Sequence, residues 1–366
     1  MQPLPQRDRY TPIDILRGLS LYGVLLVNLL TLFRVSLFTH ILGEDTPSDA
    51  PGRLIAMLVA ALLEFKAVTL FSFLFGVGVA IQAERARNHK AFLLRRFLIL
   101  LAIGLVHLLL IWNGDILTLY AICGILLIPT LGLSNTAGSI VAAAFIIVPY
   151  FVPIPLAFPT SDVVKAHALQ ATHIYSQGGF SQIFMFRWHE TSVFIAPLLI
   201  YILPRTLGLM LLGIAAWRSG LLTARRDLWL PIGVLAGTIG LVGILLHNDL
   251  LQIPLAFAYA AAVLLWNPRA RWIAAGGQMA LTNYLTQSVV FCTAFYGFGL
   301  GLFGRLEVVP TAIAGTAFYF AQLMFSRWWL QRFHFGPIEW FWRSLTYGRR
   351  QPFRRHPVEY DGSSLP

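Results

Sequence analysis

Few side chains in this sequence are placed to do chemistry, and nearly all of them lie within or beside long apolar runs. His107 is the only histidine well inside such a run. Asp115 follows about two helical turns later, across Trp112-Asn113-Gly114. An imidazole oriented by a carboxylate can act as a general base, and the plainer reading is a hydrogen-bonded packing histidine. Glu64 lies about ten residues inside another run, where a carboxylate needs a partner or a proton, so it is a second candidate base. Asp14 and Arg17 are three residues apart and share a helix face. They form either a local salt bridge at a membrane interface or an anion-binding element at the mouth of a cavity. Asn28 lies close to three turns beyond Arg17, on the same face and deeper. Arg95 and Arg96 add cationic groups, and Asn283 and Gln287 add amides within a late apolar run.

Other chemistries are excluded by pattern. No His, Cys, Asp and Glu cluster has zinc spacing, and neither a P-loop nor a nucleophile elbow occurs, so no metal is expected. Gly299-Leu-Gly301-Leu-Phe-Gly304 matches a dinucleotide fingerprint by letters but follows no strand, which removes its meaning. Cys123 and Cys292 both sit in apolar runs, which argues against a disulfide framework.

The elements that carry these residues follow from where the charge falls. Of the 366 residues 57% are hydrophobic and 12% charged, about half the charge of a soluble domain. The net charge of +11 reflects arginine clusters between apolar runs, which fix topology and touch anionic lipid, so a lipid bilayer and not a nucleic acid is the expected partner. A span needs about 20 mostly apolar residues. Ten runs qualify: 13–35, 54–82, 93–112, 115–133, 138–157, 190–217, 229–247, 250–266, 278–303 and 309–331. The first is too long for a cleaved signal peptide. Loops holding Arg85 to Arg96, Arg218 to Arg226, Arg269 with Arg271, and Arg349 to Arg355 fall on one side. The acidic loop Gly43–Asp49 and the segment 158–189 fall on the other. The expectation is an all-α polytopic membrane bundle of about ten transmembrane helices, with both termini cytoplasmic. It forms one transmembrane domain over 1–355. Residues 158–189 are an external segment, 336–348 a cytoplasmic interfacial helix, and 356–366 a disordered tail.

Several stretches together resemble the YeiB-like family of bacterial inner-membrane proteins. They are Arg17-Gly18 with Gly23-Val-Leu-Leu-Val-Asn28, Thr69-Leu-Phe-Ser-Phe-Leu-Phe-Gly76, and His107 with Trp112-Asn-Gly-Asp-Ile-Leu-Thr-Leu-Tyr120-Ala. Thr282-Asn-Tyr-Leu-Thr-Gln287-Ser288 follows, and the ending runs from Ser326-Arg-Trp-Trp through Phe335-Gly-Pro-Ile-Glu-Trp to Arg343-Ser-Leu-Thr-Tyr-Gly348. The resemblance spans nearly the whole chain and implies a multi-pass protein of the bacterial cytoplasmic membrane. It also implies kinship with transmembrane acyltransferases, which include bacterial envelope O-acyltransferases and the lysosomal heparan-glucosaminide N-acetyltransferase. The implied reaction draws an acyl group from cytoplasmic acyl-CoA or acetyl-CoA and delivers it to an envelope glycan or small-molecule acceptor. In the bacterial O-acyltransferases a histidine stands where this chain has Asn28, and asparagine cannot take a proton.

Two functions are therefore weighed. In an acyltransferase, Arg17, Arg95 and Arg96 draw in the phosphates of the donor, and His107 acts as base with Asp115 or Glu64 orienting it. In a transporter or ligand-binding protein on the same scaffold, Asp14, Asn28, Glu64, Asn283 and Gln287 line a path without transfer chemistry. Gly-rich spans and the aromatic ending are compatible with a homodimer, with no interface marked in the sequence.

Overall fold

The computed structural model describes residues 11–86, 88–152, 161–193, 198–266 and 268–355. Its described residues are helical throughout, and the sole extended pairing among them is an isolated antiparallel bridge between Phe333 and Arg354. The expected disordered tail, 356–366, lies outside the described residues.

Each of the ten apolar runs contains helix among its described residues. Helix α1 spans Thr11–Asn28 and passes into a π turn, Leu29–Phe33. A short α2, Leu37–Ile41, is capped by Ser36, whose Oγ accepts from Thr39 N. The second run divides into α3, Ala50–Leu62, and α4, Lys66–Arg85. Asp49 caps α3 by accepting from Gly52 N. The break between them falls at Phe65, whose φ of 60° is rare for a side-chain-bearing residue. Helix α5, His89–Val106, ends in a second π turn, His107–Ile111, followed by α6, Leu117–Thr130, and α7, Asn135–Ile147.

The expected external segment is two helices, α8 (Ser161–Gln177) and α9 (Phe180–Val193), joined at Gly178 and Gly179. A third π turn, Leu198–Ile202, leads into α10, Leu203–Arg218. Then come α11 (Trp229–Leu245), the one-turn α12 (Asp249–Gln252), α13 (Leu255–Trp266), α14 (Arg271–Gln278), α15 (Ala280–Phe295) and α16 (Val308–Arg332). The expected interfacial helix is α17, Pro337–Tyr347, opened by Pro337 in its first turn and closed by Gly348 at φ 65°.

Among the described residues, six helical stretches are long and apolar enough to cross a membrane: Thr11–Phe33, Ala50–Arg85, His89–Ile111, Leu198–Arg218, Asp249–Trp266 and Val308–Arg332. Leu117–Thr130, Asn135–Phe151 and Trp229–Leu245 are apolar but shorter.

Without a hydrophobic force between helices in lipid, packing depends on close backbone approach at small residues. Gly76 of α4 lies against the carbonyl of Met210 on α10, where a Cβ would have no room. Gly277 of α14 lies in the same way against the carbonyl of Asp14 on α1. These contacts pair α4 with α10 and α14 with α1, and Gly23 of α1 lies against Ala67 of α4. The space they leave is closed by α5, α6, α15 and α17.

Candidate functional site

That space is a cavity of about 640 Å³. Its wall on α1 is the stripe Ile13, Asp14, Arg17, Leu21 and Val24, the spacing of one helix face. One end is polar: Arg17, Gln82, Arg85, Arg96 and Arg343 with Asp14 and Glu339. The interior is apolar, with Leu74, Phe75, Phe97, Leu100, Ile116 and Leu117. Two phenols, Tyr120 and Tyr284, bring hydroxyls to this otherwise apolar region.

The polar end holds four guanidinium groups against the carboxyl groups of Asp14 and Glu339. Arg17 Nη1 bonds Asp14 Oδ1 at 3.0 Å, the pairing that the three-residue spacing implies. Arg96 lies 3.6 Å from the centre of the Trp342 ring, whose Nε1 donates to the Arg96 carbonyl. Arg343 lies over Phe335 at 4.4 Å. Glu339 accepts from the backbone N–H of Thr282 at 3.0 Å and from its hydroxyl at 2.5 Å, which fixes α17 to α15. Burial pushes the Glu339 carboxyl above its ordinary value, while the Thr282 bonds pull the other way. Four guanidiniums against two carboxyl groups leave the mouth net positive, which suits an anion.

His107 and Asp115 form the pair that their spacing suggested. His107 Nδ1 lies 2.7 Å from Asp115 Oδ1, and both side chains are fully buried. The carboxylate also accepts from Leu117 N at 3.0 Å and Thr118 N at 2.7 Å, which caps α6. With the carboxylate accepting, Nδ1 carries the hydrogen of this bond. Nε2 has no hydrogen-bond partner among the described residues. The pair does not line the cavity; it lies behind the far wall. Tyr284 stands between, its ring 5.2 Å from the His107 ring, with its hydroxyl donating to Gly114 O at 3.2 Å and accepting from Ile116 N at 3.3 Å. About 16 Å of helix separates Arg96 from His107, so mouth and pair lie at opposite ends of α5.

The remaining candidates lie elsewhere. Glu64 does not orient His107. Its carboxylate lies 3.6 Å from His40 Nε2, and His40 Nδ1 bonds Asp45 at 2.9 Å. Asn28 is half-buried and outside the cavity wall, which ends on α1 at Val24, one turn short of it. Arg95 is exposed beside Gly348 and does not line the cavity. Asn283 and Gln287 are buried in packing bonds between α15 and α16, to Ser326 at 3.0 Å and Gln322 at 2.8 Å. Of the sequence candidates, the cavity wall therefore includes Asp14, Arg17 and Arg96.

Sequence reasoning missed Arg85, Tyr120, Tyr284 and Glu339 as wall residues, and read Trp342 and Arg343 as membrane-surface anchors. It also missed a buried cluster on the hairpin α8–α9. There Glu190 accepts from Tyr175 and Asn113 and lies 3.4 Å from His167 Nε2, while Arg187 donates to the carbonyl of Ile111. No group of His, Cys, Asp and Glu among the described residues is arranged to hold a metal ion.

Helices long and apolar enough to span a bilayer, packed around an arginine-rimmed cavity, define a polytopic helical membrane protein. Comparison with known proteins places it further. Residues 180–349 match the model of a protein family of unknown function, DUF418. The chain is 32% identical to the uncharacterized protein YxaH of Bacillus subtilis (strain 168), over 97% of this chain and 98% of that protein. It is 29% identical to the uncharacterized protein YeiB of Escherichia coli (strain K12), over 93% and 96% of the two chains. The chain belongs to the YeiB-like DUF418 family.

Proposed function

We propose that the chain is a membrane acyltransferase that takes its acyl group from acyl-CoA or acetyl-CoA. The observation that carries this reading is the two-ended cavity: four arginines at its mouth suit the phosphates of the donor, and its apolar interior suits the pantetheine arm and acyl chain. His107, held by Asp115, is the base. As the acceptor oxygen or nitrogen attacks the thioester carbonyl, its proton passes to His107 Nε2. The C–S bond then breaks, and the departing thiolate takes that proton to leave as free thiol. Tyr284 must swing from between the thioester and His107 for the two to meet. The acceptor, an envelope glycan or a small molecule, enters from the side of α8 and α9.

The proposed setting is the bacterial cytoplasmic membrane, crossed ten times, with both termini and the arginine mouth in the cytoplasm. The alternation of arginine-rich and arginine-poor loops supports this arrangement.

The test uses the full chain in nanodiscs. Wild type should bind acyl-CoA and release free thiol when acceptor is supplied. Arg17→Gln with Arg96→Gln should weaken binding about tenfold or more, since each removes a charge-assisted contact. His107→Gln should abolish release and leave binding intact. Absence of acyl-CoA binding by wild type defeats the reading, and full turnover in His107→Gln removes that residue from it.

A second reading, a transporter or ligand-binding protein for an amphipathic anion, is favoured by one observation: His107 is sealed from the cavity by Tyr284. Flux of an anion into proteoliposomes without thioester consumption would select it.

A further inference from the structure

We propose that Arg187 and Glu190 of α9 are positioning residues for His107, acting on its π turn from the side away from the cavity. The proposal rests on the reading of His107 as the base.

The turn that carries His107 does not hold itself. Its last helical bond is the wide one from Trp112 N to His107 O at 2.8 Å, after which Trp112 is extended at φ −158°. No helical N–H follows to pair with the Ile111 carbonyl, a part-buried helix-end acceptor. Arg187 Nη1 supplies that bond at 2.5 Å, and Cys292 Sγ adds a second at 3.2 Å. Two residues on, Asn113 donates to the Glu190 carboxylate, which Tyr175 also bonds. Arg187 and Glu190 are 3% and 4% exposed. A hairpin that had only to cover apolar helices would do so more cheaply with apolar side chains, because buried charge carries a large desolvation cost. These two charges lie one turn apart on α9, and each grips a different point of the strand between His107 and Asp115. Tyr284 holds the same strand from the cavity side, through Gly114 and Ile116. The imidazole and its carboxylate are thus held from both faces at rest, and from the α9 side by Arg187 and Glu190 once Tyr284 has swung aside.

The experiment has one readout that needs turnover and one that does not. In the full chain, Arg187→Gln should lower kcat about 100-fold, with KM and binding for acyl-CoA within about twofold, because the donor mouth is remote. Arg187→Lys, which keeps a donor for the Ile111 carbonyl, should recover at least a tenth of wild-type kcat. Nitrogen-15 NMR on histidine-labelled protein, with the His107 signal assigned by its loss in His107→Gln, reports the Nδ1–H bond to Asp115 directly. That signal should shift in Arg187→Gln and return in Arg187→Lys. If wild type turns over no thioester, the acyl-transfer reading fails, and the NMR signal still decides the positioning. Asn113→Ala removes the Glu190 contact from the loop side and serves if Arg187→Gln does not fold. Unchanged kcat and an unchanged Nδ1 proton in folded variants would overturn the proposal.

Discussion

The histidine–carboxylate pairings of His107 and His40 are built for different ends. His107 is sealed from solvent with one nitrogen committed and the other unused, the arrangement of a base in waiting. His40 commits both nitrogens, to Asp45 and to Glu64, and is partly open to solvent. The hydrogen bond to Asp45, then that to Glu64, raises the His40 pKa to about 9 from an ordinary 6.5, against the opposing pull of burial. Because the folded value is raised, the stabilisation is complete below about pH 6.5 and is lost as pH rises through about 9. Thermal unfolding of the detergent-solubilised chain should therefore show Tm falling by a few degrees, about 3 °C, between pH 6.5 and pH 10. His40→Gln should flatten that part of the curve. At the mouth, Trp342→Ala should weaken acyl-CoA binding roughly fivefold by freeing the Arg96 guanidinium from its ring, read by isothermal titration. The His107–Asp115 pairing was legible because the helix break between them is short and Asp115 opens the next helix. Glu64 was not, because its partner His40 sits on the short helix α2, outside the second run, and no periodicity within that run reports the contact.

At the level of elements, close backbone contacts set what each helix tolerates. On α4, Gly76 abuts the Met210 carbonyl, whereas a Cβ at Gly78 would meet nothing nearer than the Gln82 amide at 3.9 Å. Gly76→Ala should destabilise the chain by about 1–3 kcal/mol or prevent its accumulation. Gly78→Ala, two residues on, should leave Tm unchanged or slightly raised, so paired melts separate packing from helix propensity. The helices themselves were readable from apolar run length. Which face of each helix turned inward was harder to read. The three-turn spacing does place Asn28 on the Arg17 face, but the cavity closes above it. The inner face of α17 carries Glu339 and Arg343, residues that on an interfacial helix look the same as surface anchors. The hairpin α8–α9 read as a loop of modest amphipathicity because its two gripping residues, Arg187 and Glu190, are charged where a buried face should be apolar.

Across the whole molecule, the ten-span reading makes a sharp expectation. A fluorescent protein fused after the last residue should be bright. Cysteines placed singly at Asp45 and at Arg85, in a background lacking Cys123 and Cys292, should label from opposite sides of the membrane. Labelling of both from one side would remove a span from the count. The mouth depends on distant parts of the chain, with Asp14 and Arg17 from the first helix and Arg343 and Tyr347 from the last. The last helix is in turn held by a return strand: His334 N bonds Phe353 O, Arg355 N bonds Arg332 O, and Phe353 packs on Trp340. The binding chamber therefore closes only after α17 has been made and folded back onto α5 and α15. A chain halted ahead of Pro337 would display bare arginines where its roof should be. Quality control could recognise such a chain by exposed charge, with no misfolded core to betray it.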